Sequence, residues 1–240
     1  MTERDVPVLI LLDWYRTLSH SLFWEPWTES DDVILRDVAG RMATALFGGD
    51  WRALHRRWMY GEVAAEAVVD AVARAAGVDP ALAMRGLIGS CEGMVPASPD
   101  ILPRVEWLRA HGIRVGIATD NMDTFTRWTV PALDLGRWFE PILNSADLGA
   151  LKGDALDAAG HSPFFGTLLG ELASDTLVYL VDDSAPTAPV AEAAGITFCH
   201  VTPERDAAAW LDALARELLP EASASVSRAT VARRSGGRRA

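Results

Sequence analysis

Lys152 is the only lysine in the chain; the other 21 of its 22 basic residues are arginines. An ammonium is a compact point charge on a flexible stem, whereas a guanidinium is a planar fork with different reach and hydration. One retained lysine therefore points to a task that arginine does not serve, against the plainer reading of a leftover surface residue. Three polar clusters accompany it: Asp13-Trp14-Tyr15, Thr119-Asp120-Asn121 and Asp182-Asp183-Ser184. The chemistry open to such a set is hydrolysis through a covalent intermediate, with Asp13 as carboxylate nucleophile and Lys152, Asp182 and Asp183 in the same site. Taken singly, each cluster has a duller explanation. Asp13 could cap a turn, Thr119 or Asp120 the following helix, and the Asp182 group the helix before Pro186.

The elements needed to bring these clusters together are legible. Val8 to Leu12, Ile113 to Ala118 and Leu177 to Val181 are short runs rich in Val, Ile and Leu, the pattern of strands buried on both faces of a parallel sheet. Weaker strands are expected at Pro141 to Asn144 and Ile196 to Val201. Helical patterns alternate with them at Asp100 to His111, Pro163 to Leu172, Pro186 to Ala194 and Arg205 to Leu219. This βαβ rhythm predicts an α/β fold with a doubly wound, mostly parallel sheet. Each polar cluster ends a predicted strand, and in open α/β sheets ligands bind at the carboxyl ends of strands. Between the first two strong strands the rhythm breaks. Only helix-period segments occur there, at Asp32 to Leu46, Asp50 to Tyr60, Glu62 to Ala76 and Pro80 to Met94. We expect an inserted α-helical module over residues 19–95 that folds across the sheet edge as a cap, and a core made of residues 1–18 and 96–220.

Composition narrows the functions further. The formal net charge is −11, and the segment from Glu221 to Ala240 holds one Glu and five Arg, so residues 1–220 carry −15. A body this acidic is a poor nucleic-acid binder and tolerates divalent cations. Residues 221–240 are small, polar and basic, and are expected to be disordered. No apolar run approaches the ~20 residues that span a bilayer, and Met1 to Asp5 is too polar for a signal peptide. The expectation is a cytoplasmic protein without a membrane partner, monomeric or homodimeric. Cys91 and Cys199 lack CxxC spacing and the five histidines lack ligand spacing, so any metal should be held by oxygen.

The segment Ser145-Ala-Asp147-Leu-Gly149-Ala-Leu-Lys152, taken with the other clusters, resembles the haloacid dehalogenase (HAD) superfamily of hydrolases. Asp13-Trp14-Tyr15-Arg16-Thr17-Leu18 is similar to the first motif, DxDGTL, and Thr119 to the Ser/Thr of the second. Ser145 to Lys152 is similar to SxExGxxK with Asp for Glu, and Val181-Asp182-Asp183-Ser184 through Gly195 to the acidic fourth motif. The helical insert falls where the family carries its C1-type cap. The resemblance implies a HAD-like core in which Asp13 attacks phosphorus and Mg²⁺ is bound by Asp13, the Tyr15 carbonyl and Asp183. It further implies that Asp182 supports the metal or Lys152, and that Lys152 and Thr119 hold the phosphoryl oxygens. Thr17, Asp120 and Asn121 join the substrate site, and a small phosphorylated molecule is the expected substrate.

Two departures keep other readings open. Tyr15 stands where phosphatases of the family place a second Asp as general acid and base, and a phenol is a poor base for activating water at neutral pH. Haloacid dehalogenases typically have Tyr or Phe there, which favours a metal-independent 2-haloacid dehalogenase; the missing acid/base also leaves room for a non-catalytic phospho-ligand-binding protein. Arg16, where Gly is usual, fits neither enzyme well. Substrate choice is expected in the insert, where Phe23, Trp24, Trp27, Trp51, Arg52, Arg56, Arg57 and Trp58 cluster. Trp24 facing the crevice would select an apolar or aromatic body, and Arg56 would grip a second anionic group; packing is the competing explanation for the aromatic residues.

Overall fold

The computed structural model describes residues 6–47 and 51–220. The predicted basic segment 221–240 lies outside the described residues. Strand β1 (Val8–Leu12) is followed by five helices, α1 (Glu25–Thr28), α2 (Val33–Phe47), α3 (Trp51–Met59), α4 (Ala65–Ala76) and α5 (Pro80–Glu92). Helix α6 (Ile101–Ala110) leads to β2 (Arg114–Thr119). A π-helical turn at Phe125–Thr129 and the short helices α7 (Val130–Ala132) and α8 (Leu135–Trp138) lead to β3 (Ile142–Asn144). Next come α9 (Ser145–Leu148), α10 (Gly166–Glu171) and β4 (Leu177–Asp182). A 3₁₀ turn at Ala185–Thr187 precedes α11 (Ala188–Ala193), β5 (Thr197–His200) and α12 (Ala207–Leu218). No described helix is long and apolar enough to cross a membrane.

The five strands form one parallel sheet in the order β3-β2-β1-β4-β5. The doubly wound α/β sheet expected from the sequence is thus present. The chain winds outward from β1 through β2 to β3, then returns to the other side of β1 for β4 and β5. The winding direction reverses between β1 and β4, and the carboxyl ends of those two strands frame the crevice. Every β1 residue after Val8 is fully buried, because both sheet faces are covered. Ile10 and Leu12 pack on the face covered by α6 and α12, in an apolar cluster that continues into the inserted helices; Leu9 and Leu11 pack on the opposite face with Phe164, Phe165, Leu168 and Ala191. This is the period-2 alternation of a strand.

Local sequence explains the ends of the inserted helices. Asp79 caps α5 by accepting from the Ala81 and Leu82 amides (2.7 and 3.1 Å), and Pro80 follows where a missing N–H does no harm. Gly77 (φ 64°) closes α4 in the left-handed region that glycine adopts freely. Helix α1 was not expected from the sequence, which suggests a linker there; Trp24, held at φ 56°, turns the chain into it, and a proline occupies its first turn.

Glycine also sets how closely α1 meets α5. A Cβ at Gly86 would lie 2.2 Å from the Trp27 ring, whereas one at Gly89 would meet nothing within 4 Å. Gly86→Ala should therefore lower stability by about 1–3 kcal/mol through overpacking. Gly89→Ala, in the same helix, should be neutral or raise it by up to about 1 kcal/mol. Denaturant midpoints of the two variants check the contrast, and equal shifts would contradict it.

Candidate active site

The site is assembled at the frame of β1 and β4. The Asp13 amide donates to the Val181 carbonyl (2.9 Å), which carries the β1–β4 ladder one residue past the strand and fixes the carboxylate at its end. The chain then turns sharply, with the amides of Thr17, Leu18 and Ser19 all directed at the Trp14 carbonyl (3.4, 2.9 and 2.8 Å). Arg16 sits in this turn at φ 62°. That conformation is the reason a glycine suits the position, and an arginine there costs on the order of 1 kcal/mol. Its guanidinium lies 3.9 Å from Asp183 Oδ2 and over the Tyr15 ring, 5.4 Å from the centroid.

Lys152 reaches the centre of this frame and is 2% exposed. Its Nζ donates to Asp13 Oδ1 (2.7 Å) and to Asp182 Oδ2 (2.6 Å), and its backbone amide donates to Asp120 Oδ1 (2.8 Å). Asp182 is held in turn by the Ser184 amide on Oδ1 (2.7 Å). The lysine loop is stitched to the end of β2 by Ser145, whose Oγ accepts from the Asn121 amide and donates to the Asn121 carbonyl, both at 2.9 Å. One carboxylate oxygen from each of Asp13, Asp182 and Asp183 lies within 4.8 Å of the others. Oxygen donors in this arrangement suit a hard divalent cation such as Mg²⁺.

Electrostatics follows from burial. Desolvation holds the Asp13 carboxyl above the usual carboxylate range despite the neighbouring ammonium, and the Asp182 charge adds to the rise. Burial opposes the charge of Lys152, yet Asp13, Asp182 and Asp120 outweigh it and keep the amine protonated above its ordinary range. Desolvation also raises Asp120, and it raises Asp183 with help from Asp182. A cation shared among these acids would relieve the excess negative charge.

The hydroxyls of Thr17 and Thr119 are buried and find no hydrogen-bond partner among the described residues. A buried polar atom without a partner carries a free-energy penalty, so each hydroxyl is a hydrogen-bonding group that the fold leaves unspent.

Not every expected substrate contact reaches the crevice. Beside the strand ends lies a cavity of about 250 Å³ whose near wall is Tyr15, Asp120 and Asn121. Trp24 does not line it. Its ring is 2% exposed in the core and its Nε1 donates to the Ala83 carbonyl (2.8 Å), so it packs α1 onto α5. Arg56 is also outside, donating to the Tyr60 hydroxyl (2.9 Å) with Asp154 at 3.8 Å. The insert contributes Phe23, His55 and Met59 to the cavity instead. Phe23 stood in the aromatic cluster of the sequence, but His55 and Met59 carried no signal, because a lone histidine and a methionine on a helix look like packing.

The inserted helices are bonded to the rest of the chain at two places near this cavity. Trp58 Nε1 donates to Asp123 Oδ1 (2.6 Å), and Arg127 pairs with both Asp123 and Glu66. The Tyr60 hydroxyl donates to Asp154 Oδ1 (2.6 Å), two residues beyond Lys152.

No family model matches the chain, and no curated protein matches it at a significant level. Solved structures do. A predicted HAD-like family hydrolase from Porphyromonas gingivalis superposes with a TM-score of 0.59 at 15% identity, covering 90% of this chain and 98% of its own. A HAD family enzyme from Bacteroides thetaiotaomicron, in complex with magnesium and inorganic phosphate, gives 0.55 at 14% identity over 84% and 96%. The L-2-haloacid dehalogenase from Xanthobacter autotrophicus with chloropropionic acid covalently bound gives 0.55 at 14% identity over 90% and 83%. Sheet order, insert and superpositions agree: the chain has the haloacid dehalogenase fold.

Proposed function

We propose that the chain is a Mg²⁺-dependent HAD-family phosphohydrolase acting on a small organic phosphate, with Asp13 as nucleophile and residues 19–95 as its cap. The observation that carries this reading is the buried Lys152, bonded to both Asp13 and Asp182 with Asp183 alongside. A buried ammonium among acids at a strand-end crevice suits an anionic substrate that must meet a carboxylate.

In the first step a carboxylate oxygen of Asp13 bonds to phosphorus and the ester P–O bond breaks, leaving an aspartyl-phosphate and an alcohol. The departing oxygen takes a proton from the Tyr15 phenol at the cavity wall, and the phenol regains it from solvent before water attacks, so no base remains at this position for the second step. Lys152 and the partnerless Thr119 hydroxyl hold the phosphoryl oxygens, and the Thr17 hydroxyl, also without a partner, joins them on the substrate. Asp13, Asp183 and the Tyr15 carbonyl would hold Mg²⁺, with Asp182 behind them on Lys152. When bound, the cation offsets repulsion between carboxylate and phosphate. Water then cleaves the acyl phosphate, releasing inorganic phosphate and restoring Asp13.

Tyr15 sets the expected kinetics. Without a carboxylate at that position the second step lacks its base and becomes the slow one. With Mg²⁺ and a phosphate ester, rapid mixing should give a burst of alcohol close to one equivalent per enzyme, followed by slower steady release. Tyr15→Asp should shrink the burst and raise kcat by about 10- to 100-fold. A screen of phosphate esters with no Mg²⁺-dependent turnover would sink the proposal. The second reading, a metal-independent 2-haloacid dehalogenase, is favoured by Tyr15 and tested by chloride release from 2-chloropropionate in chelator. The trio of acids speaks against it.

A further inference from the structure

The cavity beside Tyr15 carries information about the part of the substrate that is not phosphate. Its walls away from the strand ends are apolar: Trp14, Leu22, Phe23, Met59, Met94 and Met122. These residues come from the loop after β1, from α3, from the segment after α5 and from the loop after β2, so the surface exists only in the folded chain. Its polar groups besides Tyr15, Asp120 and Asn121 are Ser21 and His55. Neither an arginine nor a lysine lines it among the described residues. Burial lowers His55 from its ordinary value, which favours the neutral imidazole. The one carboxylate, Asp120, adds negative charge at the inner wall.

We propose that this cavity receives the uncharged, apolar body of a monophosphate ester, the size of a single substituted ring, and excludes substrates with a second anionic group or a polyol chain. The proposal rests on the phosphohydrolase reading for the phosphoryl end alone. Three arguments carry it. Size is the first: an apolar cavity of roughly 150 Å³ holds benzene, and this one is about 250 Å³, enough for a ring and a short substituent and below the ~300–1,000 Å³ of sites for larger ligands. Lining is the second. Methionine sulfur adapts its shape and makes favourable contacts at aromatic ring edges, and three methionines surround the space together with an indole and a phenyl ring. Charge is the third. A second phosphate or carboxylate would meet apolar walls with no arginine or lysine among the lining residues, and Asp120 to repel it. A sugar body would leave several hydroxyls against apolar walls without partners.

The test compares benzyl phosphate and phenyl phosphate with glycerol 1-phosphate and a hexose bisphosphate, with Mg²⁺ and the full chain. Two readouts are taken: kcat/KM by phosphate release, and the Kd of the same four compounds for Asp13→Asn by calorimetry. The expected result is a preference of at least about tenfold for the ring-bodied esters in both. In Met59→Lys, which places an ammonium in the cavity, the ratio of ring ester to bisphosphate should fall by at least about tenfold. Equal or better binding of the glycerol or hexose compounds by the unaltered cavity overturns the inference, as does failure of the ring-bodied esters to bind. Preferential turnover of the polyol esters leaves the phosphohydrolase reading standing and removes this one. Preferential binding of benzyl phosphate without turnover of any ester does the reverse. Should Met59→Lys fail to fold, the comparison of esters still decides.

Discussion

Asp13→Asn is expected to lower turnover of any phosphate ester by at least about 10³-fold while leaving the fold intact and, at alkaline pH, no less stable than the parent. The amide has nearly the shape of the carboxylate but is not a nucleophile, so the covalent route is lost. The stability half of the result follows from burial. Asp13 has a folded-state pKa above the usual carboxylate value of 3.8 because desolvation disfavours its charge. Such a group adds stability when protonated, fully so below its unfolded value, and loses that contribution as pH rises through its folded value. Above about pH 7 the parent therefore carries a penalty that the neutral amide does not, offset in part by the lost pairing with Lys152. The difference in melting temperature between variant and parent should shrink as pH is lowered from 8 toward 5, where Asp13 is itself protonated. Thermal scans across that range in chelator check the trend. A variant that loses activity only because it unfolds would refute the assignment.

Lys152→Met should be the most destabilising single change at the site, by about 3–5 kcal/mol at pH 8, because it strips Asp13 and Asp182 of their bonded ammonium and leaves Asp120 without the nearby positive charge. The loss should be strongly pH dependent. Without the ammonium, proton uptake by the acids is favoured further in the fold, so stability recovers as pH falls and is poorest where all three are ionised. Mg²⁺ should restore part of the loss at pH 8, by binding the folded state in place of the missing charge. Turnover should fall by at least about 10²-fold even in refolded, Mg²⁺-saturated protein, since a hydrogen-bond donor to the transferring group is gone. Denaturant titrations at pH 8 and pH 5, with and without Mg²⁺, measure all three effects. A small loss, equal at both pH values, would show that Lys152 is no counter-ion to these acids.

The features legible in the sequence were those that depend on one short segment. Buried parallel strands are continuous apolar runs, so β1, β2 and β4 could be placed within a residue or so and the polar clusters at their ends followed. Lys152 stood out by composition alone. The role of Arg16 was not legible, because φ 62° is a property of the turn that Trp14 and Ser19 close, not of the residue type. Trp24 and Phe23 are adjacent and alike in sequence, yet one is locked to Ala83 in the core and the other lines the cavity. Which of two neighbouring aromatics faces a ligand is decided by the left-handed backbone at Trp24. The π-helical turn after β2 was missed for a similar reason, since its apolar residues Phe125 and Trp128 follow no strand or helix period cleanly.

The central ion pair joins residues 139 positions apart in the chain. No partly folded species that lacks β4 and the lysine loop can neutralise Asp13, and closing so long a loop comes late on entropic grounds. During synthesis the first strand and all the inserted helices emerge before Lys152 does. Until then the Asp13 carboxylate must stay hydrated, so β1 cannot seal its carboxyl end prematurely. Charge pairing and long-range folding are thereby tied together: Asp13 meets its counter-ion only when the lysine loop has closed onto the end of β1.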